Sequence, residues 1–185
     1  MSCCPLRLLL HFVPASVLML FPLLSLGEKT MVLSMAVPLV LHILAAVIWV
    51  GGMFFAYMAL RPAMGATLDP ESRPRLWLHT LDRFFRWVWG CVAVLLITGL
   101  WMVFGVYGGM GSTGAYVHTM LALGLVMMAL FAHVYFAPFR RLRQAVTVRH
   151  NADAAFQIGQ IRRIVGINLL LGLLVISIAA AGPYF

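Results

Sequence analysis

The feature that most constrains the fold of this chain is an uncharged run of residues from Met31 to Leu60. About 20 consecutive apolar residues span the hydrocarbon core of a bilayer as a helix, whereas a helix in a soluble domain averages about 11–12 residues. The run is too long and too apolar for a soluble core, so we interpret it as a membrane-spanning helix. The whole chain agrees with this interpretation, because 63% of its residues are hydrophobic and only 10% are charged.

Similar apolar stretches recur along the chain and predict the fold class. We place spans at about residues 33–60, 87–106, 115–138 and 164–181. The sequence therefore predicts an all-α fold, an integral membrane four-helix bundle with an additional N-terminal hydrophobic helix or signal segment. Residues 1–30 form that segment, which is a signal peptide, an extra span or a stretch upstream of the true start. Residues 31–185 form the four-span membrane domain.

The arginines lie mainly in two connections, residues 61–86 and 139–163, which a four-span core places on one side of the membrane. Basic connections face the cytoplasm, so the uncharged linker at 107–114 and the C-terminus face the opposite side. The aromatic and basic stretch 77–87 predicts a helix at the headgroup level before the second span. Because the net charge of +8 comes mainly from these arginines, the predicted partner is the lipid bilayer and not nucleic acid.

One histidine, His42, lies inside the first span, two helical turns before Trp49 and on the same face. An imidazole in hydrocarbon is costly unless it has a partner, so His42 is a candidate functional residue. The alternative is a packing residue bonded to a backbone carbonyl. Gly51 and Gly52 follow Trp49 and leave two interpretations open: close helix packing, or space beside Trp49 for a flat cofactor.

The chain contains a faint internal repeat, since aligning His42 with His118 also pairs Pro62 with Pro138. A real duplication would relate two helix pairs by an axis along the membrane normal. His42 and His118 would then lie at similar depth in the outward leaflet. Two imidazoles placed in this way can ligate one metal ion or one haem iron from opposite sides.

Methionines near the outward ends of the spans favour copper as the metal. Thioether and imidazole ligands suit Cu(I), whereas Mg²⁺ and Ca²⁺ call for carboxylates, which the predicted spans lack. We therefore predict metal ligation by His42 and His118, supported by Met120 or Met35. Methionine is also common as flexible packing in apolar helices, which is the alternative for both thioethers.

The other polar side chains predicted at depth include Thr98, His133 and Asn168. His133 and Asn168 both fall in the cytoplasmic half of their spans. A hydrogen bond between them would satisfy both buried groups. We therefore predict a structural role for His133 rather than a ligand role.

Four short motifs carry a family resemblance. They are Leu41-His42 through Trp49-Val50-Gly51-Gly52-Met53, the exit Arg61-Pro62, the third-span end Pro138-Phe139-Arg140-Arg141-Leu142 and the entry Gly159-Gln160-Ile161-Arg162-Arg163. Over residues 33–183 they resemble the CopD family of bacterial inner-membrane copper-resistance proteins. The resemblance implies a multi-pass CopD-like domain in the inner membrane; the positive-inside rule then puts the C-terminus in the periplasm. The resemblance also implies copper binding, transport or resistance, with a copper ion or a periplasmic copper carrier as partner; the sequence leaves a homo-oligomer open.

The same core is more distantly similar to HemJ-type protoporphyrinogen oxidases. The histidine-containing entry to their later span corresponds to Tyr116–Met120 around His118, but the lysine of that entry is Met120 here. This resemblance implies the alternative function, a haem b-binding membrane redox protein with His42 and His118 as axial ligands and Trp49 beside the cofactor. Only in that alternative is the chain an enzyme, a haem-dependent membrane oxidoreductase. A structural or assembly subunit is the third interpretation.

Overall fold

Residues 15–184 of the chain are described by a computed structural model, with side chains described for residues 32–182 and 184. Over this range the chain is helical and contains no strand, which confirms the all-α prediction. The α-helices are α1 Ala15–Phe55, α2 Arg61–Thr67, α3 Arg73–Leu100, α4 Ala115–Val134, α5 Arg140–Thr147 and α6 Asn151–Ala181. Short π-helical segments continue three of them, at Ala56–Leu60, Trp101–Val106 and Tyr135–Phe139. Single 3₁₀ turns lie at Met110–Ser112 and Gly182–Tyr184.

Four continuous helical stretches of the described chain are long and apolar enough to cross a membrane. They are Val32–Thr67, Arg73–Val106, Ala115–Thr147 and Asn151–Ala181. Large apolar side chains project outward from them; Ile97 is 70% exposed and Leu170 is 69% exposed. A surface of this kind is suited to lipid and not to water. The protein is therefore a multi-pass membrane protein, and the four-span prediction is confirmed.

The second span begins earlier than its hydropathy predicted. We expected a headgroup-level helix at 77–87 before the second span, and the structure joins that stretch to the span in one helix, α3, which runs without a break from Arg73 to Leu100. The headgroup-level position of 77–87 stays a prediction. Pro74 lies in the first turn of α3, where its missing N–H is tolerated, and no glycine or proline follows until Gly90. Leu81 and Phe85 are also buried, so the early turns of α3 already pack against the bundle.

The first helix extends across the predicted boundary of the N-terminal segment. It begins at Ala15 and continues to Phe55 without interruption at residue 30 or 31. Residues 1–14, which make up nearly half of the predicted N-terminal segment, lie outside the described residues. The division of the chain into 1–30 and 31–185 stays a prediction.

Two of the π-helical segments lie next to prolines. The segment Ala56–Leu60 precedes Pro62, and the segment Tyr135–Phe139 contains Pro138. Proline has no N–H to give to the carbonyl four residues earlier, and helices commonly deform at such positions. Each segment leads into a short helix, so both halves of the chain repeat the order long helix, π-helical segment, short helix, long helix. The duplication in sequence stays a prediction.

Within the bundle, α1 packs along α3, and α4 packs along α6. An aromatic cluster joins these pairs at mid-depth. The ring of Phe85 meets Phe131 edge-on at 5.5 Å between centroids and Phe139 at 4.9 Å. The ring of Trp49 meets Phe131 at 6.1 Å. Since His42 lies two turns before Trp49 on α1, this cluster separates His42 from the arginine-rich end of the bundle.

Candidate functional site

His42 lies on the side of α1 that packs against α3. Its ring atom Nδ1 is 2.8 Å from Thr98 Oγ1, and Thr98 Oγ1 is 2.6 Å from the carbonyl oxygen of Val94. Gly99 makes room for the ring, because a Cβ at that position would lie 3.3 Å from His42 Cε1. The neighbouring helix therefore holds the imidazole in one orientation.

This chain of hydrogen bonds determines which nitrogen of His42 carries the proton. The Thr98 hydroxyl has one hydrogen, which it donates to Val94, so its oxygen accepts from Nδ1–H of His42. Nε2 then keeps an unprotonated lone pair, and it makes no hydrogen bond with the described residues. Metal-ligating histidines adopt this form, with one ring N–H held by a neighbouring group and the other nitrogen free. The partner is a hydroxyl and not the backbone carbonyl of the packing alternative.

His118 forms a similar chain on α4. Its Nε2 is 3.2 Å from Thr113 Oγ1, and the Thr113 hydroxyl donates to the carbonyl oxygen of Met110 at 2.9 Å. The same reasoning assigns the proton to Nε2 and leaves Nδ1 of His118 as the unprotonated nitrogen. His118 is exposed, so its ring can be reached from outside the bundle.

Both histidines lie at the end of the bundle that carries the linker 107–114, here called the linker end. Thr98, at the level of His42, is about two turns before the end of the second span at Val106. His118 is about one turn after the start of the third span at Ala115. The two rings are thus staggered along the bundle axis, and no hydrogen bond joins them within the described chain. Their ligation of a common ion stays a prediction.

The two predicted methionine ligands differ in their placement. Met35 is partly buried and lies seven residues before His42, so it shares the His42 face of α1, two turns nearer the linker end. Met120 follows His118 by two residues, which places it about 200° around α4 from that histidine. Met120 therefore leaves the helix on the other side from His118, and both ligand roles stay predictions. The described residues contain no group of three or more His, Cys, Asp or Glu side chains that could hold a metal ion. A site made of two histidines and methionine thioethers is not a group of that kind.

Trp49 is a core residue at the centre of the bundle. Its side chain is 3% exposed, and it borders a cavity of about 10 Å³, which has room for one water molecule. A Cβ at the neighbouring Gly52 would overlap the Phe84 ring, which favours the close-packing interpretation of that glycine. Sites for cofactors occupy hundreds of Å³. The residues beside Trp49 therefore do not fit a haem, the cofactor of the alternative function.

The predicted hydrogen bond between His133 and Asn168 does not form, and that expectation is wrong. His133 is exposed, whereas Asn168 is 3% exposed and its Oδ1 has no partner among the described residues. The reason is helix rotation. Successive residues point about 100° apart, and α4 turns Val134 into the core, which directs His133 outward. Asn168 instead lines the small cavity beside Trp49.

The threonine partners of the histidines could not be recognised from the sequence. Thr98 stood out only as a polar residue within a span, and Thr113 was one residue of a glycine-rich linker. The available signal for Thr113 is its position five residues before His118, at the entry of a helix. That spacing alone does not distinguish a histidine partner from an ordinary linker residue.

The comparison with protein-family models identifies a family for this chain. The family described as copper resistance protein D, CopD, matches residues 78–181, more than half of the chain. The match includes Thr98, Thr113 and His118, and it begins after His42. No curated protein and no solved structure matches the chain, and the resemblance to HemJ-type oxidases has no support from these comparisons. The chain belongs to the CopD family of copper resistance proteins.

Proposed function

We propose that this protein binds Cu(I) as its substrate in the bacterial inner membrane and helps it cross or leave the membrane. Membership of a copper resistance family supports copper as the substrate. The observation that carries the residue assignment is the free Nε2 of His42, on a ring whose Nδ1–H is held by Thr98. Second partners of this kind orient histidine ligands and raise their basicity.

The stagger of the histidines favours stepwise handling of the ion over one site shared by both rings. A copper ion delivered at the linker end, alone or by a periplasmic carrier, meets the exposed His118 first. Met35 and His42 lie on a common face of α1 and lead deeper into the bundle. Thioether and imidazole donors both suit Cu(I), so the ion can pass between them without a carboxylate. Met120, which leaves α4 on the other side from His118, would be a separate thioether donor at the linker end.

The topology belongs to the same proposal. The arginines of the connections 61–86 and 139–163 face the cytoplasm by the positive-inside rule, which puts the linker end and the C-terminus in the periplasm. Residues 31–185 form the CopD-like unit, preceded by the segment 1–30. A homo-oligomer of this chain, formed through the apolar surfaces within the membrane, is part of the same proposal and can be measured directly.

Cu(I) binding by the purified protein tests the assignment. We expect detergent-solubilised protein to compete with a colorimetric Cu(I) chelator, and the double variant His42→Ala, His118→Ala to lose that competition. Cells that carry the double variant should also lose copper tolerance. The matched control is His79→Ala, His150→Ala, because these exposed histidines lie at the opposite end of the bundle.

Two results would contradict the proposal as a whole, and a third would contradict its residue assignment. One is a protein that takes up no Cu(I) together with a double variant of wild-type copper tolerance. The other is a Soret band in the visible spectrum of the purified protein that disappears with His42→Ala, which would establish the haem alternative. A loss of stability in the double variant, with chelator competition unchanged, would make the histidines packing residues.

A further inference from the structure

The opposite end of the bundle contains a larger cavity that the proposed copper path does not use. It has a volume of about 370 Å³, within the range of ligand sites. Its walls come from the end of the first span, the following connection, and the early turns of α3 and α6. Arg61, at its rim, lies 19 residues beyond His42, about five turns of helix away. We call it the basic cavity.

Three arginines line the basic cavity: Arg61, Arg73 and Arg162. None of the described residues that line it is acidic. Asp82, the nearest carboxylate along α3, is engaged outside it by Arg143 and Arg86. The three guanidinium groups form no ion pair within the described chain, although the exposed Asp69 and Glu71 lie on either side of the lining residue Pro70. The side chains that line the cavity therefore carry a net positive charge.

The arginines differ in what holds them. Arg73 is fixed by hydrogen bonds from Nε to the carbonyl of Leu68 and from Nη2 to the carbonyl of Gly65, each 2.9 Å long. Arg61 lies over the Tyr57 ring, with Cζ 5.6 Å from the ring centroid. Arg162 is exposed and has no hydrogen-bond partner among the described residues. Arg61 and Arg162 thus keep all of their N–H donors for a ligand.

The cavity changes from polar to apolar with depth. Tyr57 lies under the Arg61 guanidinium, and Trp77 follows Arg73 by about one turn of α3. Further into the bundle the walls are formed by Phe84, Phe85 and Val165. The Tyr57 hydroxyl makes no hydrogen bond with the described residues, so it can donate to a ligand at the boundary between the two zones. This gradient fits a molecule with an anionic head and an apolar tail.

We propose that the basic cavity binds one anionic phospholipid, with its phosphate at Arg61 and Arg162 and the upper part of an acyl chain against Phe84 and Val165. Basic pockets between transmembrane helices on the cytoplasmic side bind phospholipid headgroups. A soluble anion would satisfy the arginines but would leave the apolar walls wet, which makes the membrane lipid the better occupant. The proposal does not depend on the copper assignment.

Native mass spectrometry tests the proposal. The full chain is reconstituted in vesicles of equal parts phosphatidylglycerol and phosphatidylcholine, extracted in mild detergent, and analysed for retained lipid. We expect wild-type protein to retain one phosphatidylglycerol in preference to phosphatidylcholine. Each basic residue near a membrane surface contributes about fivefold to the binding of anionic lipid. The variant Arg61→Gln, Arg162→Gln should therefore lower the preference by about 25-fold.

Two further variants distinguish this site from general attraction and from misfolding. Arg140→Gln, Arg141→Gln removes two exposed arginines that do not line the basic cavity, and it should leave the preference unchanged. Gly65→Leu fills the cavity from α2, where an added Cβ would meet no atom within 4 Å, and it should abolish retention of either lipid.

Three outcomes would overturn the proposal. The first is equal retention of both lipids by the wild type. The second is an equal loss of preference in the control pair and the cavity pair, which would reveal a general surface effect. The third is complete displacement of phosphatidylglycerol by excess inorganic phosphate, which would identify a soluble anion as the occupant.

Discussion

At the scale of single residues, the two histidines of the linker end share one hydrogen-bonding arrangement. Each ring donates an N–H to a threonine hydroxyl, and each hydroxyl donates to a backbone carbonyl. In His42 the donor is Nδ1 and the threonine lies on another helix, whereas in His118 the donor is Nε2 and the threonine is local. In both cases the hydroxyl is committed to the backbone and can only accept from the ring. In the neutral form of each imidazole the proton therefore lies on the nitrogen that faces the threonine, and the other nitrogen carries the lone pair.

The first prediction at this scale concerns Thr98. Thr98→Val keeps the shape of the side chain but removes the acceptor for Nδ1–H of His42. We expect Cu(I) binding to weaken by about 10- to 100-fold, the usual effect of losing a group that orients a metal-ligating histidine. A chelator competition on the purified variant measures this change.

Thr98→Ser is the matched control for that variant, since it retains the hydroxyl and should bind Cu(I) like the wild type. If Thr98→Val binds Cu(I) as tightly as Thr98→Ser, the threonine does not position the ligand. The proton assignment of His42 would then have no bearing on copper.

At this scale the sequence predicted which residues are unusual, but it did not predict their hydrogen-bond partners. His42 was recognisable because a lone imidazole in an apolar helix is costly. Its partner Thr98 depends on the rotation of α3 about its axis, which hydropathy does not report. The wrong pairing of His133 with Asn168 has the same origin: depth was predictable from chain position, but the direction in which each side chain points was not.

At the scale of elements, glycines set how closely the helices approach. A Cβ on Gly172 of α6 would lie 2.8 Å from Val50 Cγ2 on α1 and 3.2 Å from Met127 Cε on α4. Val50 is buried, and its branched side chain has little rotamer freedom in a helix. Three helices therefore meet at this glycine, and an added methyl group must push at least one of them away.

Gly172→Ala should for this reason destabilise the bundle by about 1–3 kcal/mol, the usual cost of overpacking a core. Thermal unfolding of the purified protein in detergent measures the effect. Gly159→Ala is the control on the same helix, where a Cβ would meet no atom within 4 Å. Alanine there should be neutral or stabilising by up to about 1 kcal/mol, because it is the better helix former. Equal destabilisation of the two variants would contradict the close approach at Gly172.

The lengths of the elements were harder to predict than their number. Hydropathy detected the four spans because each contains a long apolar window. It missed the early turns of α3 and α6, where arginines and aspartates lower the mean while buried residues such as Leu81 and Ile161 still pack inward. The π-helical segments also have no hydropathy signal, although Pro62 and Pro138 mark the positions where two of them form.

At the scale of the whole molecule, the two ends of the bundle differ in chemistry. The linker end carries His42, His118 and an uncharged linker, whereas the other end carries the arginine-rich connections and the basic cavity. The aromatic cluster around Phe131 lies between them. This polarity gives each proposed ligand its own end, a soft cation at the linker end and an anionic lipid at the basic end. The direction of the proposed copper handling therefore depends on the orientation of the bundle in the membrane.

The orientation is testable with single cysteines in a chain whose native Cys3, Cys4 and Cys91 are replaced. Ser112→Cys lies in the exposed turn of the linker, and Val148→Cys lies in the second basic connection, where the native side chain is 73% exposed. By the positive-inside rule, a membrane-impermeant maleimide should label Ser112→Cys in intact spheroplasts and Val148→Cys only after the membrane is permeabilised. The reverse pattern would place the histidines on the cytoplasmic side, so that the protein would receive copper from the cell interior. Labelling of both cysteines in intact spheroplasts would mean that the chain inserts in two orientations, which the concentration of arginine at one end opposes.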